Sequence, residues 1–196
     1  MSTPPRPTST ADEGSVAFAR RFGFEEVDRQ VEQVKTLADE PAPEFPDGVE
    51  VVTIAERPEL LREAYELGVQ GYADMATPWP ASITLEEWVR EEATHPEGSF
   101  VALAGGEIVG YSGLMRDVDV PTRAEDGLTV VRCDWRRRGL AVALKRAELA
   151  WAAANGLREV YTWTQRGNEG MRAVNEQLGY VYRHVDLTMR APLPLP

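Results

Sequence analysis

The sequence predicts a mixed α/β (α+β) domain, and three observations carry that expectation. Apolar residues recur with strand-like and helical periods in turn along most of the chain. Gly105-Gly106 stands between two apolar runs, where a two-residue hairpin needs residues that accept positive φ. An Ala-rich helical stretch then lies between two strand-like runs, the pattern of a crossover. From Gly48 onward the order reads β-α-α-β-β-β-α-β-α-β, with a largely antiparallel first half.

Residues 1–13 are rich in Pro, Ser and Thr and read as a disordered tail. Within 14–37, Ser15 to Phe24 has helical character and Glu26 to Leu37 reads as a strand-like arm. Val27, Val31 and Val34 in that arm also keep a helical spacing. Residues 38–47 form a stiff, Pro-rich acidic linker, and the main domain is expected over 48–192.

Val51 to Ile54 is a strand. Pro58 opens a helix that runs to Tyr72 with Leu60, Ala64 and Leu67 on one face. Thr84-Leu-Glu-Glu87 is a capping box, with Ile83 and Trp88 placed as a hydrophobic staple. Phe100 to Ala104 and Ile108 to Ser112 flank the glycine turn, and Leu128 to Val131 is a short strand. Gly139 to Ala154 is a helix with Leu140, Leu144, Ala147 and Trp151 in register. Val160 to Thr164 is a strand. Asn168 caps a last helix bearing Met171, Val174 and Leu178, which Gly179 stops before a final strand from Tyr180 to Met189.

The 196 residues carry a formal net charge of −11, which disfavours binding to nucleic acid or to an anionic membrane. Cys133 is the single cysteine and His95 and His184 the two histidines, so neither a disulfide nor a thiolate metal cluster is expected, and no metal site. No signal peptide and no run of eighteen apolar residues is present, and the protein is expected to be cytoplasmic.

One segment reverses the acidic balance. Between Arg132 and Arg146 there are six basic residues and one acid, a local charge of +5. Here Val130-Val-Arg-Cys-Asp-Trp-Arg-Arg-Arg-Gly-Leu-Ala141 runs from a strand through a basic turn into a helix. A helix start exposes unpaired N–H groups and the positive end of the dipole, and Gly139 removes the side chain that would keep a phosphate away. Arginines at a helix start oppose the dipole at a cost of some tenths of a kcal/mol each, which a bound anion would reverse. The segment is therefore expected to bind a phosphate or pyrophosphate. A solvated arginine cluster is the alternative. Neither a P-loop nor a dinucleotide fingerprint is present.

Arg136-x-x-Gly139-x-Ala141 after a strand resembles the acyl-CoA pyrophosphate motif of the GNAT acyltransferase superfamily. Asn168-x-x-Met171 followed by Leu178-Gly179-Tyr180 resembles that family's second cofactor motif. The resemblance covers about Gly48 to Arg190 and implies a sheet with splayed central strands, flanked by helices on both faces. It implies acetyl-CoA as co-substrate and transfer of its acetyl group to a primary amine, on a small molecule or peptide, by direct attack on the thioester. Backbone near Val131 would bond the pantetheine arm and, through one N–H, the thioester oxygen. Amides from Arg137 through Gly139, Leu140 and Ala141 to Val142 would hold the pyrophosphate, with Arg136 and Arg138 adding charge. Asn168 would contact the pantetheine.

The resemblance places the base near Glu125 and Asp126, with a polar loop before a strand as the alternative reading. Many members carry a tyrosine as general acid three residues before the Leu-Gly pair. That position is Asn175 here, either a structural tie or a contact to cofactor or acceptor, with Tyr180 and Tyr182 as replacement acids. Trp79, Trp88, Tyr72 and Trp163 could line an acceptor pocket or belong to the core. The Phe22-Gly23-Phe24 triplet resembles Leu178-Gly179-Tyr180, so that residues 14–37 look like the closing helix and strand of a preceding GNAT domain, as in tandem proteins such as mycothiol synthase. A non-catalytic acyl-CoA-binding or assembly module is the second functional class. A homodimer is an expected arrangement, with the arm docked on the sheet of its own subunit or of a partner.

Overall fold

The computed structural model describes residues 13–75 and 83–192; Trp79 and the tail lie outside the described residues. A seven-stranded sheet in the order β2-β3-β4-β5-β6-β1-β7 is built from β1 (Glu25–Thr36), β2 (Val49–Thr53), β3 (Phe100–Ala104), β4 (Glu107–Arg116), β5 (Arg123–Val131), β6 (Glu159–Gln165) and β7 (Val181–Arg190). Every pairing is antiparallel except β5 with β6. The helices are α1 (Glu13–Arg21), α2 (Leu61–Ala73), α3 (Leu85–Glu91), α4 (Leu140–Ala154) and α5 (Glu169–Gln177). On one face α2 and α3 cover Val101, Tyr111, Leu128 and Val130; on the other, the buried faces of α4 and α5 meet Leu114, Ala124 and Val160.

Local chemistry accounts for the boundaries. Thr84 accepts from the Glu87 N–H while Glu87 reaches back to the Thr84 N–H, which completes the capping box of α3. Both turn glycines between β3 and β4 have positive φ, 59° at Gly105 and 87° at Gly106, as a type I′ turn demands. Asn168 caps α5 by accepting from the Met171 N–H.

Strand β1 does not lie at an edge. It is inserted between β6 and β7, with Val31 opposite Thr164 on one side and Val185 on the other. The same connection leads into β1 and β7. Each follows a helix that stops two residues before a left-handed glycine, Gly23 at φ 76° and Gly179 at φ 86°, and each begins two residues after that glycine. Glu32, 2% exposed, fixes the arm from below. Its carboxylate accepts from Arg183 Nε at 2.6 Å and meets His184 Nδ1 at 2.7 Å. The preceding helix α1 buries none of its residues, and Phe18 and Phe22 stack on each other at 4.9 Å in exposed positions.

Strand β5 departs most from the sequence reading. It starts at Arg123 rather than Leu128, so Glu125 and Asp126 lie within the strand and not at its entrance. A polar alternation conceals it: its inward residues Ala124 and Asp126 meet α4 and α5, not an apolar wall alone. Its pairing with β4 shifts between Ser112–Thr129 and Leu114–Asp126, where two residues, Gly127 and Leu128, face one. This β-bulge reverses which residues face which side beyond it.

Candidate functional site

Strands β5 and β6 pair only at Arg123–Glu159, Ala124–Val160 and Glu125–Tyr161. Beyond Glu125 they separate, although β5 continues to Val131 and β6 to Gln165. β6 satisfies its other edge on β1, so the split leaves the inner edge of β5 without a strand partner. The Arg132 N–H bonds to the Val109 carbonyl of β4. Strand alternation then turns the N–H and carbonyl of Val131 toward the split.

The split opens into a cavity of 540 Å³. Val131, Arg136, Arg137, Gly139, Leu140, Ala141, Val142 and Asn168 all line it, so eight of the nine residues expected at the cofactor meet there. Arg138 is not among the lining residues. It donates to the Asp134 carbonyl at 2.9 Å and lies 4.6 Å above the Trp135 ring.

The turn is built to present backbone N–H groups. Cys133–Trp135 forms a single 3₁₀ turn, after which Arg137 takes φ 65° and Gly139 φ 81°. Arg137 is the sole non-glycine with positive φ among the described residues, a backbone cost that clusters at ligand sites. Helix α4 has no side-chain N-cap and no acid in its first turn. In contrast, α3 and α5 each carry a capping side chain and a glutamate there. The first N–H groups of α4 and its dipole are thus left to an anion. A Cβ at Gly139 would meet nothing within 4 Å, so the approach is open.

The local +5 is not all available to a ligand. Lys145 is buried in an ion pair with Asp126, and Arg132 is held by Asp134 and Glu107. Arg136 donates through Nε to the Val131 carbonyl at 2.9 Å and pairs through its guanidinium with Asp74, just past the end of α2. Both Asp74 and Arg136 line the cavity, so this pair forms part of its wall. Arg137 makes no ion pair or side-chain hydrogen bond among the described residues.

The candidate catalytic residues separate. Glu125 faces the α2–α3 side, against Tyr161 of β6 and within the field of Glu92; burial, ahead of any neighbouring charge, pushes its pKa up to about 7. Burial likewise raises Glu92, and raises Tyr161 to about 12. Asp126 faces the other side, 1% exposed, where Lys145 pairs with its carboxylate and the Tyr180 hydroxyl donates to it at 2.9 Å. Asn175, 0% exposed, donates to Gln33 Oε1 at 3.0 Å and to Thr164 Oγ1 at 3.3 Å, tying α5 to β1 and β6. None of Glu125, Asp126, Asn175 and Tyr180 is among the residues that line the cavity. Tyr182 donates to Glu176, and Cys133 is exposed in the turn. Trp88 and most of Tyr72 belong to the core, whereas half-buried Trp163 meets His184 edge-on at 4.9 Å. Among the described residues no group of acids, His and Cys gathers as metal ligands, and no helix is long and apolar enough to cross a membrane.

Residues 59–180 match the model of the Acetyltransferase (GNAT) family. The chain belongs to the GNAT acetyltransferase family. None of the curated proteins matches it significantly. A GNAT crystal structure from Sphaerobacter thermophilus is 23% identical with TM-score 0.73, covering 94% of this chain and 58% of that one. A tandem GNAT protein from the clavulanic acid biosynthesis pathway is 25% identical with TM-score 0.64, covering 95% and 60%. The chain therefore spans less than two thirds of the length of these two GNAT structures. The diaminobutyrate acetyltransferase EctA from Paenibacillus lautus, solved with L-2,4-diaminobutyric acid and coenzyme A, is 19% identical with TM-score 0.51 over 66% of this chain and 73% of its own.

Sequence reasoning missed Thr129, Lys145, Glu148 and Asp74. Lys145 and Glu148 could have been found as charged residues inside the apolar arc of α4. Thr129 and Asp74 carry no local signal, since tertiary neighbours give them their place.

Proposed function

We propose that the protein is an N-acetyltransferase that takes its acetyl group from acetyl-CoA and delivers it to a primary amine. The observation that carries this reading is the split between β5 and β6 opening onto the uncapped start of α4. Backbone N–H groups of Leu140, Ala141 and Val142, with those of the left-handed turn at Arg137 and Gly139, bind the pyrophosphate. The edge of β5 at Val131 supplies strand-like hydrogen bonds to the pantetheine arm. Acetyl-CoA bound there supplies an activated thioester.

An N–H on that edge stabilises negative charge on the thioester oxygen, a contribution of about 3–4 kcal/mol for a preorganised donor. Glu125 takes the proton of the attacking amine. Its pKa of about 7 leaves it a carboxylate in mildly alkaline solution yet basic enough to serve. Asp126 is left a structural part by its bonds to Lys145 and Tyr180. The coenzyme A held by EctA on the same fold supports the assignment. The tandem relative, with the repeated helix–glycine–strand connection, supports reading residues 14–37 as the close of a further GNAT unit. Incubating the full chain with acetyl-CoA and a panel of primary amines, and measuring released thiol, tests the reaction. Amine-dependent release supports it, and its absence with every amine despite bound CoA favours a non-catalytic acyl-CoA-binding module.

A further inference from the structure

Among the described residues, four charged ones line the cavity: Asp74, Arg136, Arg137 and Arg166. Asp74 and Arg136 pair with each other, and Arg136 is held further by the Val131 carbonyl. Arg137 and Arg166 remain, two positive charges facing the cavity in a chain of net charge −11. The topology brings them to one end of the split. Strands β5 and β6 run parallel, so the turn after Val131 and the turn after Gln165 leave the sheet at the same end, one on each side of the split. Arg137 belongs to the first turn and Arg166 to the second.

Neither guanidinium is committed elsewhere. Arg137 has no ion pair among the described residues, and Arg166 pairs there only with Glu26, at 3.7 Å. Both oxygens of that carboxylate already accept from Arg29, through Nε and Nη2 at 3.0 Å each. The Arg166 side chain is 55% exposed, while its backbone N–H is fixed on the Arg29 carbonyl at 2.9 Å. The start of α5 beside it offers an anion little. Asn168 accepts from the Met171 N–H, and Glu169 accepts from the Gly167 N–H and puts a negative charge in the first turn. On that side of the split a phosphate would be met by the Arg166 guanidinium, not by a helix start.

We propose that Arg137 and Arg166 together hold the 3′-phosphate of CoA, so that the site selects the phosphorylated coenzyme over its 3′-dephospho form. The inference rests on the reading of the cavity as the acyl-CoA site. CoA carries a pyrophosphate and, on its ribose, a separate phosphate monoester. The N–H groups of the left-handed turn and of the α4 start answer the pyrophosphate. The monoester, close to two negative charges above pH 7, needs cations of its own. Two guanidiniums match that charge, and each presents parallel N–H donors suited to a phosphate. The adenosine end of CoA then lies where both strands finish, and the pantetheine arm runs back along β5 from Val131 toward Glu125.

The test compares two ligands that differ only in that phosphate. The full-length parent, Arg137→Gln, Arg166→Gln and the double variant are titrated calorimetrically with CoA and with 3′-dephospho-CoA. An exposed arginine contributes about threefold in affinity, so the parent should bind CoA about tenfold more tightly than the dephospho form. That preference should shrink at high salt, and below about pH 6, where the monoester loses a charge. Each single variant should lose about threefold in affinity for CoA and the double variant about tenfold. All three should keep the parent's affinity for 3′-dephospho-CoA, which also shows that they are folded. Equal affinity of the parent for the two ligands, or a preference that survives in the double variant, overturns the proposal. So does an equal loss for both ligands, which would place the arginines at the pyrophosphate. If the parent binds neither ligand, the reading of the cavity itself fails, and the inference with it.

Discussion

Glu125 and Asp126 are neighbours on β5 whose carboxyl groups point to opposite faces of the sheet, one toward Tyr161 and Glu92 and the other toward Lys145 and Tyr180. The strand pleat makes this separation inevitable. It assigns them different consequences on mutation.

Glu125→Gln should lower kcat about 10²–10⁴-fold. The parent rate should rise as pH passes through about 7, where the carboxyl ionises, and that limb should vanish in the variant. The sign for stability is opposite. Its folded pKa is raised above the unfolded value, so ionisation costs the folded state as pH climbs from the unfolded pKa toward 7. Glu125→Gln should therefore raise the melting temperature at pH 8 relative to the parent and leave it unchanged at pH 4. A pH–rate profile identical to the parent's would remove Glu125 as base.

Asp126→Asn leaves the Lys145 ammonium buried without its counter-charge. Removing one partner of such a pair costs about 3–5 kcal/mol. Denaturant unfolding should show that loss, and Asp126→Asn with Lys145→Met should recover part of it.

The Asp74–Arg136 pair must open, or turn, for Arg136 to meet a phosphate. Asp74→Asn should free the guanidinium and tighten acetyl-CoA binding by up to about fivefold, since an exposed pair is worth about 0–1 kcal/mol. Equal or weaker affinity would show that Arg136 stays on Val131 and serves the strand end instead.

Because β1 lies between β6 and β7, removing residues 1–37 exposes two strand edges at once and strands the Arg183 guanidinium without Glu32. The truncated protein should lose cooperative thermal unfolding or aggregate. Glu32→Gln is the milder test, with an expected loss of about 1–3 kcal/mol, since Arg183 is one third exposed and keeps its bond to Glu159. Parent-like melting of either would contradict the central position of the arm.

The parts of this molecule that are encoded in a few adjacent residues were legible from the sequence. The capping box at Thr84, the Gly105-Gly106 turn, the Asn168 cap and the arginine turn into α4 each have their chemistry within about four residues. What escaped depends on distant partners. The amphipathic alternation of Glu26 to Leu37 suits a strand, but nothing local says that Val31 will sit between Thr164 and Val185. The start of β5 was hidden because Asp126 faces a lysine inside the core, which reads as a loop when Lys145 is not known to be opposite. The charge of the turn was overcounted for the same reason, Arg132, Arg136 and Lys145 each finding an acid from elsewhere or nearby.

The most direct test of the account is isothermal calorimetry of acetyl-CoA with the full chain and with Arg136→Ala, Gly139→Glu. The added carboxylate would stand where N–H groups of α4 await a phosphate, while a side chain at φ 81° should cost the fold only about 1–2 kcal/mol, checked by circular dichroism. The account predicts one-site binding by the parent, weakening with salt, and loss of binding in a variant that remains folded. No binding by the parent, or the same affinity in the variant, would contradict it.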